Sequence, residues 1–309
     1  MPNVNIELRL QLRAVVGESA LDDELDSLLQ TSNFSLEAAV NAFFDAPGQN
    51  VVVTESSAIA SNVVGVYTRS ATVELEDNTF LSPICGLFAD LPPPPPDATL
   101  ADALADVLVA CKAGKCAIPA NELIIAIQVC DESGVDAKEH NPRAKECRIL
   151  AAGIASIQLY SMEFQSGPSL YDELNAALRD KDRSKCKPLQ KYIWQLMHAL
   201  RDSPPFDGAV VYRGVRKDLR AMYPKGRVVT WHQFSSCTCS LEVQQSEQFC
   251  GSVGSRTLFI ITVTQGRARL ISSHSAVPSE AEVLLPPNTR LKVESSLHAG
   301  NGLVLVNLT

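Results

Sequence analysis

Three short stretches carry most of the structural information in the C-terminal half: Val210-Val211-Tyr212-Arg213-Gly214, Phe234-Ser235-Ser236-Cys237-Thr238, and Glu280-Ala281-Glu282-Val283-Leu284-Leu285-Pro286-Pro287. Each sits on or beside a β-branched, apolar run of the kind that forms strands. Around them, residues 209–214, 228–234, 256–263, 268–271, 282–286, 290–294 and 303–308 all read as strands. An arginine at the end of an apolar strand is not expected to be buried alone, so Arg213 calls for a partner. Glu280 and Glu282 are two apart, a spacing that in a strand puts both carboxylates on one side.

Upstream, the apolar period changes from two to that of helices. Leu100, Leu104, Val107, Leu108 and Cys111 share one face, and Leu123, Ile124 and Ile127 begin another helix. Leu150, Ile154 and Ile157 begin a third. Leu189, Ile193, Leu196, Met197 and Leu200 make a long stripe that Pro204-Pro205 stops. A helical lobe followed by a strand-rich lobe predicts an α+β fold rather than a doubly wound sheet. No GxGxxG occurs, which argues against a dinucleotide site of the Rossmann type.

Residues 1–47 read as a small three-helix bundle. Leu8, Leu12 and Val15 form one stripe, Leu21, Leu25, Leu28 and Leu29 a second, and Leu36, Ala39, Val40 and Phe43 a third. Asn33 and Ser35 are natural caps for the last helix, and Pro47-Gly48 ends the unit. Phe44 cannot share the inward face of Phe43 and is left for a partner. Residues 48–97 read as a linker, with short strands at 51–53 and 63–67. Its five prolines, Pro92 to Pro96, form a stiff polyproline spacer or a ligand for a proline-binding module.

With 309 residues the chain is long enough for about two domains, and 46% hydrophobic residues suffice to build a core. A net charge of −8 argues against a nucleic-acid or acidic-membrane partner. No signal peptide and no apolar run of spanning length is read, which predicts a cytoplasmic location. The nine cysteines are scattered with no zinc spacing, so reduced thiols and no metal are expected.

The region 98–309 resembles the mono-ADP-ribosyltransferases of the arginine–serine–glutamate class. The three strand motifs follow in that family's order. Ile157-Gln158-Leu159-Tyr160-Ser161-Met162-Glu163 and Leu170-Tyr171-Asp172-Glu173-Leu174-Asn175-Ala176-Ala177-Leu178-Arg179 look like its two early helices. The resemblance implies a helical lobe plus a mixed or antiparallel β-sandwich core, with NAD as co-substrate and a protein arginine as acceptor. It implies that Arg213 holds the dinucleotide, that Gly214 offers backbone groups to the nicotinamide amide, and that Asn175 and Arg179 lie near the phosphates. Ser236 would hold the nicotinamide ribose, Glu282 would be the catalytic glutamate, and Glu280 would direct transfer to arginine. A carboxylate beside the ribose suits a reaction that passes through an oxocarbenium-like sugar. Two positions depart from the family's Ser-Thr-Ser: Cys237 replaces the threonine and Thr238 the last serine. Residues 272–279 correspond to an acceptor-recognition loop, where His274 reads as an exposed loop histidine. Phe249 and Arg256 are candidates for a loop over the cofactor.

The first 47 residues resemble ubiquitin-associated-like (UBA-like) domains, through Val15-Val16-Gly17 and the stretch from Ser32 to Phe44. That resemblance implies ubiquitin or ubiquitinated proteins as partners. Two alternatives share the chain: an NAD glycohydrolase with water as acceptor, and a catalytically silent ubiquitin-binding adaptor.

Overall fold

The computed structural model describes Arg9 and residues 22–31, 91–141, 144, 148–240, 253–263 and 267–309. Of the expected N-terminal bundle, the helix α1 (Asp22–Thr31) is described, with Leu25 and Leu29 fully buried and Asp26 paired with Arg9 at 3.3 Å. The rest of that bundle with Phe44, the strands expected at 51–53 and 63–67, and Phe249 lie outside the described residues.

The helical lobe contains α2 (Leu100–Ala103), α3 (Ala105–Lys112), α4 (Ala120–His140), α5 (Ala151–Tyr160), α6 (Leu170–Arg179) and α7 (Gln190–Asp202). Thr99 caps α2 by accepting from the Asp102 amide at 3.1 Å. On α4 the stripe Leu123, Ala126, Ile127, Cys130 and Gly134 faces inward, the i, i+3, i+4 pattern of a helix with one buried side. It rests on α5, which is apolar all round and buried on nearly every side. Contact is close enough that a Cβ on Gly134 would lie 2.4 Å from the Ala151 carbonyl oxygen. The acidic residues Asp172 and Glu173 in the first turn of α6 and Arg179 in its last turn match the helix dipole. The Ser169 amide donates to Asp172 Oδ2 at 3.0 Å, which fixes where α6 begins.

The polyproline stretch lies against this lobe. The Trp194 Nε1–H of α7 donates to the Pro92 carbonyl at 2.7 Å, and Pro94 is half-buried over a groove formed by Arg148, Leu150, Gln195 and His198. The C-terminal half therefore gathers in part of the segment that the composition alone marks as spacer.

Among the described residues eight strands follow: β1 (Val210–Val215), β2 (Val228–Trp231), β3 (Ser235–Thr238), β4 (Arg256–Thr262), β5 (Arg269–Leu270), β6 (Glu282–Leu285), β7 (Thr289–Gly300) and β8 (Leu303–Leu308). Their order is β2-β7-β8-β4-β1-β3-β6-β5. Strands β4 and β8 run parallel, and the other neighbouring pairs antiparallel. The long β7 pairs with β2 through its first four residues and with β8 beyond them, passing irregularities at Val293/Ser295 and His298/Gly300. Val211, Trp231, Phe259, Val283, Leu285 and Val306 meet inside the sandwich. Phe234, Ile271 and Leu284 belong instead to the core of the helical lobe.

The stretch 228–234, expected as one strand, is interrupted. Strand β2 ends at Trp231 because the next residues are claimed by other partners. The His232 ring faces Asn288, Gln233 accepts from Arg179, and the Phe234 amide donates to Asn175. The chain then re-enters the sheet as β3, between β1 and β6.

Candidate active site

The strand order places the three sequence motifs side by side: β1 with Arg213 and Gly214, β3 with Ser236, and β6 with Glu282. Registers define which side chains meet. Thr238 lies opposite Glu282, and Ser236 opposite Leu284. Cross-strand partners project to the same face, so Ser236, Thr238 and Glu282 share one. Leu284, two residues beyond Glu282, packs into the helical core, and this identifies the shared face as the one turned toward the helices. Glu282 is only 1% exposed there.

Arg213 arrives differently. It has the parity of Val211 and Val215, which belong to the sandwich core, and its guanidinium lies 6.0 Å from the Trp231 ring centroid. Strands β1 and β3 pair only at Tyr212 and Thr238 and then separate. Where the ladder lapses, Arg213 Nη1 donates to the Ser236 carbonyl at 2.6 Å. A charge-assisted bond from a side chain replaces the missing backbone bonds and holds the two strands together at the splay. Gly214 follows, buried and opposite Leu258 of β4. The polar residues therefore converge around β3 from two strands and two faces.

Cys237 reports how close they come. It is buried with the sandwich core, and its thiol is pushed up to about 12, by burial first; Arg213 acts on it in one direction and Glu282 in the other. The first of the two departures from Ser-Thr-Ser thus points away from the face that Ser236 and Glu282 share. It packs as a small apolar group.

Glu280 lies before the strand rather than in it, so the strand spacing that led to the same-side expectation for Glu280 and Glu282 does not apply. It ends a 3₁₀ turn, Pro278–Glu280, and Ala281 has a φ of +47°, in the left-handed region. That kink, rather than strand alternation, sets the relation between the two carboxylates. The Thr238 hydroxyl donates to the Glu280 carbonyl at 2.9 Å and accepts from the Ser240 amide at 3.0 Å. The last position of the altered triplet therefore fastens the turn that carries Glu280, itself 9% exposed.

Asn175 and Arg179 both reach the segment before β3. The Asn175 amide is spent at both ends: Oδ1 accepts from the Phe234 amide at 3.1 Å, and Nδ2 donates to the Tyr160 hydroxyl at 3.3 Å. This makes Asn175 a buried brace for the entry to β3, where the family resemblance implies a residue near the phosphates. Arg179 is half-buried and donates to Gln233. Arg256, expected in a loop over the cofactor, is the first residue of β4. It is 8% exposed and donates to the carbonyls of Gly254 and Asn301, at 3.0 and 2.6 Å, tying β4 to the turn before β8. His274 is half-buried rather than exposed, and burial lowers its pKa.

Sequence reading passed over Gln233 and the fastening role of Thr238. Thr238 stood inside a quoted motif, so its hydroxyl was visible. Nothing local in the sequence signals the pairing of Gln233 with a residue 54 positions away.

The profile of the family described as NAD:arginine ADP-ribosyltransferase matches residues 148–308. In fold, the chain is similar to the type III effector XopAI from Xanthomonas axonopodis pv. citri, at 14% identity and a TM-score of 0.50, covering 67% of this chain and 86% of that one. It is also similar to the ADP-ribosyltransferase HopU1 of Pseudomonas syringae pv. Tomato DC3000, at 20% identity and a TM-score of 0.48, with 58% and 85% covered. Vis toxin, an ADP-ribosyltransferase from Vibrio splendidus, aligns at 22% identity and a TM-score of 0.43, with 59% and 83% covered. No curated protein matches the chain.

Proposed function

Because the chain belongs to the NAD:arginine ADP-ribosyltransferase family, we propose that it moves ADP-ribose from NAD to the guanidino group of a protein arginine and releases nicotinamide. The observation that carries this reading is the shared face of Ser236 and Glu282, with Arg213 fastened to the Ser236 carbonyl at 2.6 Å. These residues fit NAD by chemistry. Arg213 and Arg179 supply cationic forks for a diphosphate. Gly214 presents backbone without a side chain in the way. Ser236 and Glu282 supply an acceptor pair for ribose hydroxyls.

The bond that breaks joins the anomeric carbon of the ribose to the ring nitrogen of nicotinamide. The ring nitrogen takes the bonding pair, so nicotinamide leaves neutral and the sugar is left as an oxocarbenium ion. Glu282 stabilises that positive charge from a site poor in water, where one carboxylate counts for more than it would in solvent. A guanidino nitrogen then attacks the anomeric carbon. Free guanidinium holds its proton above pH 12, so the proton leaves only as the new bond forms. Glu280, two residues away, receives it and passes it to solvent.

Purified protein incubated with NAD and a small guanidine such as agmatine tests this. We expect labelled guanidine, with transfer reduced by about 10²- to 10³-fold in Glu282→Gln. Glu280→Gln should lose transfer and keep NAD cleavage, so free ADP-ribose replaces labelled product. Undiminished transfer in Glu282→Gln rejects the assignment. Recruitment to ubiquitin through residues 1–47 rests on their sequence resemblance. Deletion of those residues should weaken labelling of a ubiquitinated protein and spare agmatine; equal loss on both acceptors counts against it.

A further inference from the structure

The segment between β5 and β6 is a closed excursion. Its ends are joined where the Ile271 amide donates to the Glu282 carbonyl at 3.0 Å, and Ile271 itself is buried in the helical core. Inside it, the amides of His274 and Ser275 both donate to the Ile271 carbonyl at 2.9 Å, and the Val277 amide donates to Ser275 Oγ at 3.1 Å. The turn that bears Glu280 follows directly. Two hydroxyls from outside the excursion hold its backbone. One is Thr238, at the Glu280 carbonyl. The other comes from the helical lobe, 115 residues earlier in the chain: Ser161 Oγ accepts from the Ala276 amide at 2.6 Å.

Ser161 is well suited to this. It is the residue that terminates α5, the most buried helix of the lobe, and is itself 2% exposed. Its hydroxyl has one hydrogen, directed back at the last turn of α5, where the Gln158 carbonyl lies at 2.8 Å and the Ile157 carbonyl at 3.2 Å. That direction aims the lone pairs of the oxygen away from the helix, toward the Ala276 amide. The anchor is thus fixed at its base by a helix end, whose two carbonyls both keep the hydrogen turned away from Ala276.

We propose that Ser161 is a positioning residue for the acceptor: by holding Ala276 it sets where the Glu280 turn stands, and with it the place of the incoming guanidine, without touching NAD. This rests on the transferase reading above. It predicts a division of effects. Cleavage of NAD depends on Glu282, which is held in β6 by the sheet. Transfer depends also on Glu280, which is held by the turn.

Ser161→Ala removes the anchor, leaving the Ala276 amide without its acceptor in a part-buried setting. We expect the KM for agmatine to rise by about tenfold. Cleavage of NAD in the absence of agmatine should stay within about twofold. Amide exchange should quicken within residues 272–281 and stay unchanged in β3 and β6. Ser161→Thr, which keeps the hydroxyl, should restore the acceptor KM. Parallel loss of transfer and cleavage together with a lowered melting temperature would show a merely structural serine and overturn the proposal. So would an unchanged acceptor KM. If the unaltered protein cleaves no NAD at all, it is the transferase reading that fails. Amide exchange then decides the anchor: acceleration confined to residues 272–281 upholds it, and no acceleration overturns it.

Discussion

The His232 imidazole is 1% exposed, and its Nδ1 faces Asn288 Oδ1 at 3.1 Å. Its Nε2 is buried with no hydrogen-bond partner among the described residues. Burial lowers its pKa first; the Asn288 contact opposes this in part, and nearby Arg183 adds to the lowering. His274 is shifted the same way by burial and by Lys138. For a base with a depressed folded-state pKa, the unfolded chain takes up the proton first, so stability is complete above the unfolded value of about 6.5 and falls as pH drops below it. The surface carboxylates lowered by their partners, Asp180, Asp202 and Glu294, act in the same direction but in a more acid window, below about 4 to 4.5. Urea unfolding at pH 7.5 and 5.5 should therefore show a loss of stability across the histidine window. The loss should shrink in His232→Gln/His274→Gln, and an unchanged loss in that double variant would rule out these two groups as its source. At this scale the sequence was informative about identity and weak about direction. Arg213, Ser236 and Glu282 stand out because polar residues on apolar strands need a reason. That Arg213 reaches the site through a carbonyl, and that Asn175 is consumed as a brace, follow from the splay of β1 from β3 and from a partner of Asn175 that is 59 residues distant.

Helix α4 is joined to α5 through a contact that admits no side chain. Replacing a helical glycine by alanine ordinarily stabilises by about 1 kcal/mol. At Gly134 the new methyl would sit 2.4 Å from a backbone oxygen of Ala151, which cannot swing aside as a side chain would. Overpacking against backbone costs about 1–3 kcal/mol, so the clash outweighs the propensity gain and Gly134→Ala should be destabilising on balance. Denaturant unfolding measures this, and a variant as stable as the parent would show that the two helices can part without cost. Elements with strong periodicity were the legible ones. The stripe of α7 and the apolar run of β8 announce themselves, and β8 spans Leu303–Leu308 as its composition predicts. The break between β2 and β3 was not legible, because it is made by Asn175, Arg179 and Asn288, none of them local. The turn at Glu280 was missed for another reason: its left-handed residue is Ala281, where glycine or asparagine would have given the signal.

At the scale of the molecule, two apolar cores of the described residues meet at the strands that bear the candidate site. Leu284 of β6 faces the helices while Val283 and Leu285 face the sandwich, and Phe234 and Cys237 divide in the same manner around β3. Strands buried on both faces are hard to displace, which suits residues that must keep their places through a reaction. The polyproline strap is the piece tied to this body from outside the two cores. Pro94 rests on the domain, while its neighbours Pro93 and Pro95 remain exposed. The chain carries its ordering cost in advance, since each proline fixes φ before docking. The bond from Trp194 to the Pro92 carbonyl is what distinguishes a docked strap from a spacer lying on a surface. Trp194→Phe deletes the donor and keeps an aromatic ring against His198, with which the indole packs edge-on at 4.4 Å. It should cost about 1 kcal/mol, the net worth of one neutral hydrogen bond. In a chain that begins at residue 98 the same substitution should cost nothing of that kind, because the acceptor is gone. Comparing the four unfolding free energies isolates the pair. A coupling near zero would mean that the strap is held by prolines and packing alone, and that the segment before it can swing free of the catalytic half without breaking a bond.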